Sequence, residues 1–124
     1  MEIVGVSGLL WISRSNTDVD VEVRDHASFF SVTRTIDEVS VVGPEPVPNA
    51  RVEGPWRAFR VAGVLDFSLT GVLHALTGPL ADADISVFVQ STFDTDYILV
   101  REEATAAAMD AWTAAGHVVL APDG

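Results

Sequence analysis

The chain has no cysteine and no lysine. The first absence excludes disulfides and thiolate metal sites and leaves the redox compartment open. The second makes all seven basic residues arginine, against 18 acidic residues and a net charge of -11. A field of that sign repels phosphate backbones, so nucleic acid and anionic membrane surfaces are not expected partners. A cationic or zwitterionic small ligand fits better. No apolar run approaches the roughly 18 residues of a membrane span. Near its start the chain carries Glu2 and no basic cluster, so no signal peptide is expected and the cytoplasm is the expected compartment.

Catalytic signatures are missing too. There is no nucleophile elbow, phosphate loop or dinucleotide fingerprint. His26, His74 and His117 are spaced neither as a zinc motif nor as a catalytic dyad. Asp66, Asp94 and Asp96 have no visible partner that would make one an acid and another a base. The expectation is a protein that is not an enzyme and has neither cofactor nor metal.

What is present is an apolar content of 48% spread along 124 residues, enough for one domain or two small subdomains sharing a core. The second half is the more regular. Trp56 to Val61 alternates as a strand. A turn at Gly63 to Phe67 leads to a helix with Ser68 as N-cap and Leu69, Val72, Leu73, Leu76 and Leu80 as its apolar stripe. Pro79 falls near its far end. Strands follow at Ile85 to Gln90 and Tyr97 to Arg101, joined by a turn through Phe93 to Thr95. Glu102 and Glu103 suit the first turn of an alanine-rich helix, which Gly116 ends in a left-handed cap. His117 to Leu120 closes as a strand. This β-α-β-β-α-β order is the ferredoxin-like, split βαβ arrangement of an α+β fold.

In the first half, Ile3 to Val6 and Leu9 to Ile12 read as strands, and Phe29 to Thr35 with Val39 to Val42 as a hairpin. Ser15 to Asp25 is acidic and lacks a helical stripe, while Pro44, Pro46 and Pro48 exclude a normal second helix. Laying residues 31–45 on 89–103 brings Glu38-Val39 onto Asp96-Tyr97 and Val41-Val42 onto Leu99-Val100. That faint repeat predicts an eroded copy of the C-terminal unit with its helices shortened or lost.

Four stretches carry a family resemblance: Phe29-Phe30-Ser31-Val32-Thr33-Arg34-Thr35, Trp56-Arg57, Leu65-Asp66-Phe67-Ser68-Leu69-Thr70-Gly71 and Ser91-Thr92-Phe93-Asp94-Thr95-Asp96-Tyr97. With them the chain resembles small bacterial tandem-ACT-domain proteins. These are similar to the ACT domains of aspartate kinases and to the cytosolic arginine sensors of animal cells known as CASTOR. The resemblance implies a degenerate ACT-like subdomain over 1–54 packed against an ACT domain over 55–124, with a free amino acid bound at the seam. It implies contacts from Ser31 and Val32, from Asp66 and Phe67 before the helix, and from Thr92, Phe93 and Asp96 in the hairpin. The chain departs from those sensors in having Asp66 for a glycine and Leu69 for an acidic residue.

The residues themselves suit such a ligand. A helix start at Ser68 to Gly71 offers unpaired N–H groups to a carboxylate, with Thr70 beside them and Gly71 allowing close approach. Asp94 and Asp96, two apart in an extended segment, present carboxylates to an ammonium or guanidinium group. Phe67 and Phe93 offer apolar walls. Each has a plainer reading: Asp66 or Ser68 only caps the helix, Asp94 only shapes the turn, and the two rings are core. The rival function is an interaction module, a homodimer formed through sheet edges with a vestigial pocket.

Overall fold

The longest strand, Arg51–Val61, is where the two halves of the chain meet. A computed structural model describes residues 1–62 and 70–122. In chain order the elements are β1 (Glu2–Gly5), β2 (Leu10–Ser15), β3 (Ser31–Arg34), β4 (Val39–Gly43), β5 (Arg51–Val61), α1 (Val72–Asp82), β6 (Val87–Ser91), β7 (Asp96–Arg101), α2 (Thr105–Ala114) and β8 (Val118–Leu120). The expected βαββαβ run is β5 through β8, and the fold is ferredoxin-like.

All eight strands join one sheet. The first part of β5 pairs with β2, from Arg14 opposite Arg51 to Leu10 opposite Trp56, and β4 and β3 extend that side. From Trp56 onward β5 pairs with β7, which in turn pairs with β6. β1 runs antiparallel to β5 and parallel to β8, so a strand from the chain's beginning lies between β5 and the closing strand. Both edges of β1 are thereby paired, and its Ile3 is buried.

Alternation along β5 divides the core in two. Phe59 and Val61 face a cluster that holds Leu76 and Leu80 of α1, Ala108 and Trp112 of α2, and Ile98 and Val100 of β7. Trp56 and Ala58 face a second cluster with Leu10, Phe29, Val42 and Leu99. The two helices therefore cover one side of β5 and β7, and the first half of the chain covers the other.

Several local expectations shift. Helix α1 starts at Val72, with Gly71 at its N-cap in the left-handed region (φ 77°) and no side-chain cap; Ser68 and Leu69 lie outside the described residues. Leu73, expected on the apolar stripe, is 41% exposed because Leu76 and Leu80 set the buried line. Glu102–Ala104 form a 3₁₀ turn ahead of α2. Gly116 does end α2 in the left-handed region (φ 95°), with the His117 N–H donating to Trp112 O at 3.0 Å.

Pro79 sits inside α1 without ending it. Its missing N–H leaves the Ala75 carbonyl without its helical donor. The imidazole of His117 fills the gap, with Nε2 3.3 Å from Ala75 O and Nδ1 3.1 Å from the amino group of Met1. Such an arrangement requires the tautomer that carries its proton on Nε2 and accepts at Nδ1. At the next residue, the Trp112 indole N–H donates to Leu76 O at 2.7 Å and ties α2 to α1.

No α-helix forms in the first half among the described residues. Residues 20–22, 24 and 44–48 instead line a cavity together with Val41 and Phe30. Arg34 donates to the carbonyls of Thr17 and Val19, Arg24 pairs with Glu45 at 3.6 Å, and Ser13 Oγ accepts from Val47 N at 3.0 Å. The acidic and proline-rich segments thus do the covering that helices do in the second half.

Candidate functional site

The β3–β4 and β6–β7 hairpins turn in the same way. In one, Thr35 N donates to Glu38 O at 3.0 Å and the Thr35 hydroxyl accepts from Glu38 N at 3.1 Å. In the other, Thr92 N donates to Thr95 O at 2.8 Å and the Thr92 hydroxyl accepts from Thr95 N at 3.3 Å. Thr35 therefore corresponds to Thr92 and Val39 to Asp96, one residue away from the alignment of 31–45 with 89–103. A slip of one residue exchanges the two faces of a strand.

Between the hairpins lies a groove of about 370 Å³, with Phe29, Phe30 and Ser31 on one side and Gln90, Thr92 and Tyr97 on the other. Residues 23–25 and 27–28, Arg24 and Asp25 among them, complete it. Its size falls at the lower end of small-ligand sites. Phe29 and Tyr97 form its apolar floor, with ring centroids 4.8 Å apart and planes at 60°. Gln90 and Tyr97 are cross-strand partners, which is why both reach the same face. The Thr92 hydroxyl is taken up by its own turn. The polar ends of Ser31, Gln90 and Tyr97 make no hydrogen bond with the described residues.

Of the residues singled out from sequence, Ser31 and Thr92 come together here. Val32 is adjacent to Ser31 on β3 and 38% exposed. Asp96 begins β7 on the side of Ile98 and Val100, towards the helices, and accepts a 2.6 Å hydrogen bond from the Ser91 hydroxyl. Asp94 and Phe93 occupy the turn, and Phe93 is 80% exposed rather than a pocket wall. Thr70 and Gly71 stand exposed at the start of α1. The same end of the sheet holds the hairpin turn, since the Thr95 hydroxyl donates to Val61 O, where β5 ends, at 3.4 Å. Asp66, Phe67 and Ser68 lie outside the described residues.

Sequence reasoning passed over Gln90, Tyr97 and Phe29 as contributors. A carboxamide interrupting the apolar run Val87-Phe88-Val89 was the available signal. Among the described residues no three or more His, Asp or Glu side chains gather as a metal site, and no helix is long and apolar enough to cross a membrane.

Two like hairpins flanking a groove, on a ferredoxin-like sheet with both helices on one side, define a small α+β module. The ACT domain family matches residues 51–113, and the chain belongs to that family, whose members are regulatory. The human protein named "Cytosolic arginine sensor for mTORC1 subunit 1" is 39% identical over 93 residues, covering 64% of this chain and 28% of that protein. The chain thus spans under a third of the sensor's length. A solved protein of Agobacterium tumefaciens is 31% identical with a TM-score of 0.88, covering 99% of this chain and 93% of that one. The aspartate kinase of Clostridium acetobutylicum shares the fold at 12% identity and a TM-score of 0.64, over 91% of this chain and 34% of the kinase.

Proposed function

We propose that the protein is a non-catalytic regulatory module that binds a free amino acid in the groove between its two hairpins. In this reading residues 1–54 and 55–124 act as two ACT-like units, β1 reaching across into the second. The observation that carries it is the convergence of polar side chains from both halves that make no hydrogen bond with the described residues, Ser31 on one side and Gln90 and Tyr97 on the other, over an aromatic floor. Support also comes from the human relative, which is named an arginine sensor and cytosolic, and from the chain's acidity, which favours a ligand carrying positive charge. The cytoplasm is the proposed compartment. A ligand seated across the groove holds the two hairpins in one relative position, which turns occupancy into a signal.

Ser31 and Thr92 are the sequence-derived contacts on which this reading rests. Val32, Phe93, Asp94 and Asp96, with Asp66, Phe67, Ser68, Thr70 and Gly71, take part where the ligand reaches round the turn towards α1. The test is a thermal-shift panel of the twenty amino acids, arginine first, on wild type, Ser31→Ala, Gln90→Ala and Asp96→Ala. A ligand held by the folded form adds about 2.7 kcal/mol at a hundredfold excess over its Kd. A shift that shrinks in the Ser31 and Gln90 variants supports the groove. Silence across the panel at millimolar concentration refutes it.

A second reading is favoured by one observation. The edge strands β6 and β8 expose Val89, Val118 and Leu120, and an unpaired edge with apolar side chains invites pairing between copies. Light scattering that gives a dimeric mass, unchanged by any amino acid and accompanied by no thermal shift, supports an interaction module over a receptor.

A further inference from the structure

The sheet holds a pair of arginines whose placement the groove does not use. Arg14 of β2 and Arg51 of β5 are direct cross-strand partners, and so face the same side of the sheet. Like charges set opposite each other repel, and a chain with 18 acidic residues has ample means to neutralise them. Three of the other five arginines meet a carboxylate, and the remaining two donate to backbone carbonyls. Arg24 pairs with Glu45, and Arg34 meets Asp20 together with two carbonyls. Arg57 and Arg60 donate to the carbonyls of Gly8 and Val61, and Arg101 binds Glu53 at 3.1 Å. Arg14 and Arg51 have no ion pair or side-chain hydrogen bond with any described residue.

Both arginines border one open cavity of about 460 Å³. Ser40, the cross-strand partner of Arg14 on its other side, adds a hydroxyl, and Ile12 with Phe88 supplies an apolar wall. Glu38 lines the same cavity and makes no ion pair. Glu53 also lines it, but its carboxylate is held by Arg101. Two unneutralised planar forks one strand apart, beside a hydroxyl and an apolar wall, are the recognition chemistry of an oxyanion.

We propose that this cavity is a second ligand site, distinct from the hairpin groove, for a small organic oxyanion. Its carboxylate or phosphate group is clamped between Arg14 and Arg51. Its apolar portion lies on Ile12 and Phe88, and a hydroxyl or amine on it donates to Glu38. The site stands whether or not an amino acid binds between the hairpins.

Isothermal titration with succinate and with inorganic phosphate tests the proposal and separates the two chemistries. The protein variants are wild type, Arg14→Gln, Arg51→Gln and Arg14→Lys, with Gln90→Ala as a control in the other groove. Expected is saturable binding of one probe that weakens with salt, falls about tenfold or more in either glutamine variant, and survives in Gln90→Ala. The lysine variant keeps the charge and loses the fork, so an intermediate loss supports the clamp. Without ligand, each glutamine variant relieves the repulsion and melts no lower than wild type. Binding that persists in both glutamine variants overturns the proposal, as does absence of heat from both probes at millimolar concentration. Light scattering adds a third such outcome: a dimer that falls to monomer in the glutamine variants assigns the pair to an interface between copies.

Discussion

Replacing Phe29 should loosen the two halves of the chain and empty the groove floor together. Phe29 is 8% exposed, belongs to the cluster around Trp56, and stacks at a tilt on Tyr97 with centroids 4.8 Å apart. Phe29→Ala removes a buried ring and leaves a cavity between the hairpins, at a cost of about 3–5 kcal/mol. Phe29→Leu keeps most of the apolar volume and loses the ring–ring contact, so about 1 kcal/mol is expected. Tyr97 is half-buried, and Tyr97→Leu should cost a similar amount because it removes the same contact from the other side. In a double-mutant cycle the leucine variants should then show a coupling of about 0.5–1.5 kcal/mol. Urea unfolding followed by tryptophan fluorescence measures all five proteins, Phe29→Ala and the four of the cycle. A coupling near zero, or a Phe29→Ala cost below about 1 kcal/mol, refutes the view that this pair joins the halves. Any amino-acid thermal shift should also fall in Phe29→Leu, whose fold is nearly intact.

Three further outcomes follow from backbone and helix chemistry. Asp84 closes α1 in the left-handed region (φ 57°), with Ile85 N donating to Leu80 O at 2.9 Å, so Asp84→Gly should stabilise by about 0.5–1 kcal/mol in thermal melts. Gly71 (φ 77°) has open space where a Cβ would stand, so Gly71→Ala should cost only the backbone term, about 1–2 kcal/mol; no change in melting point would contradict that conformation. His117→Ala should cost about 1 kcal/mol by orphaning the Ala75 carbonyl, and Pro79→Ala in the same protein should recover most of it by restoring the helical donor. Failure of that rescue in chemical denaturation would disprove the compensation.

Much of the architecture was legible in order along the chain. Alternation at Trp56 to Val61, the alanine-rich stretch ended by Gly116, and the turn-forming strings around Thr35 and Thr92 each depend on a few neighbouring residues, and each appears where it was read. The prolines at 44, 46 and 48 likewise exclude a helix by their own chemistry. The candidate site was less legible. Of the residues lining the proposed groove, Ser31 and Thr92 were among those named from sequence, while Gln90 and Tyr97 were not, because which face of β6 and β7 meets the first half depends on a pairing register that moves every side chain across when it slips by one.

By itself, then, the sequence determined the element order, the two matching hairpins, the acidic field and the loss of helices from the first half, all properties of local pattern or of summed charge. Only the tertiary structure decided that β1 lies between β5 and β8, that His117 meets the carbonyl which Pro79 leaves without a helical donor, and that Arg14 faces Arg51. Those arrangements join residues far apart along the chain. Each strand edge and each orphaned carbonyl accepts any partner of suitable shape, and packing of the whole core selects which one arrives.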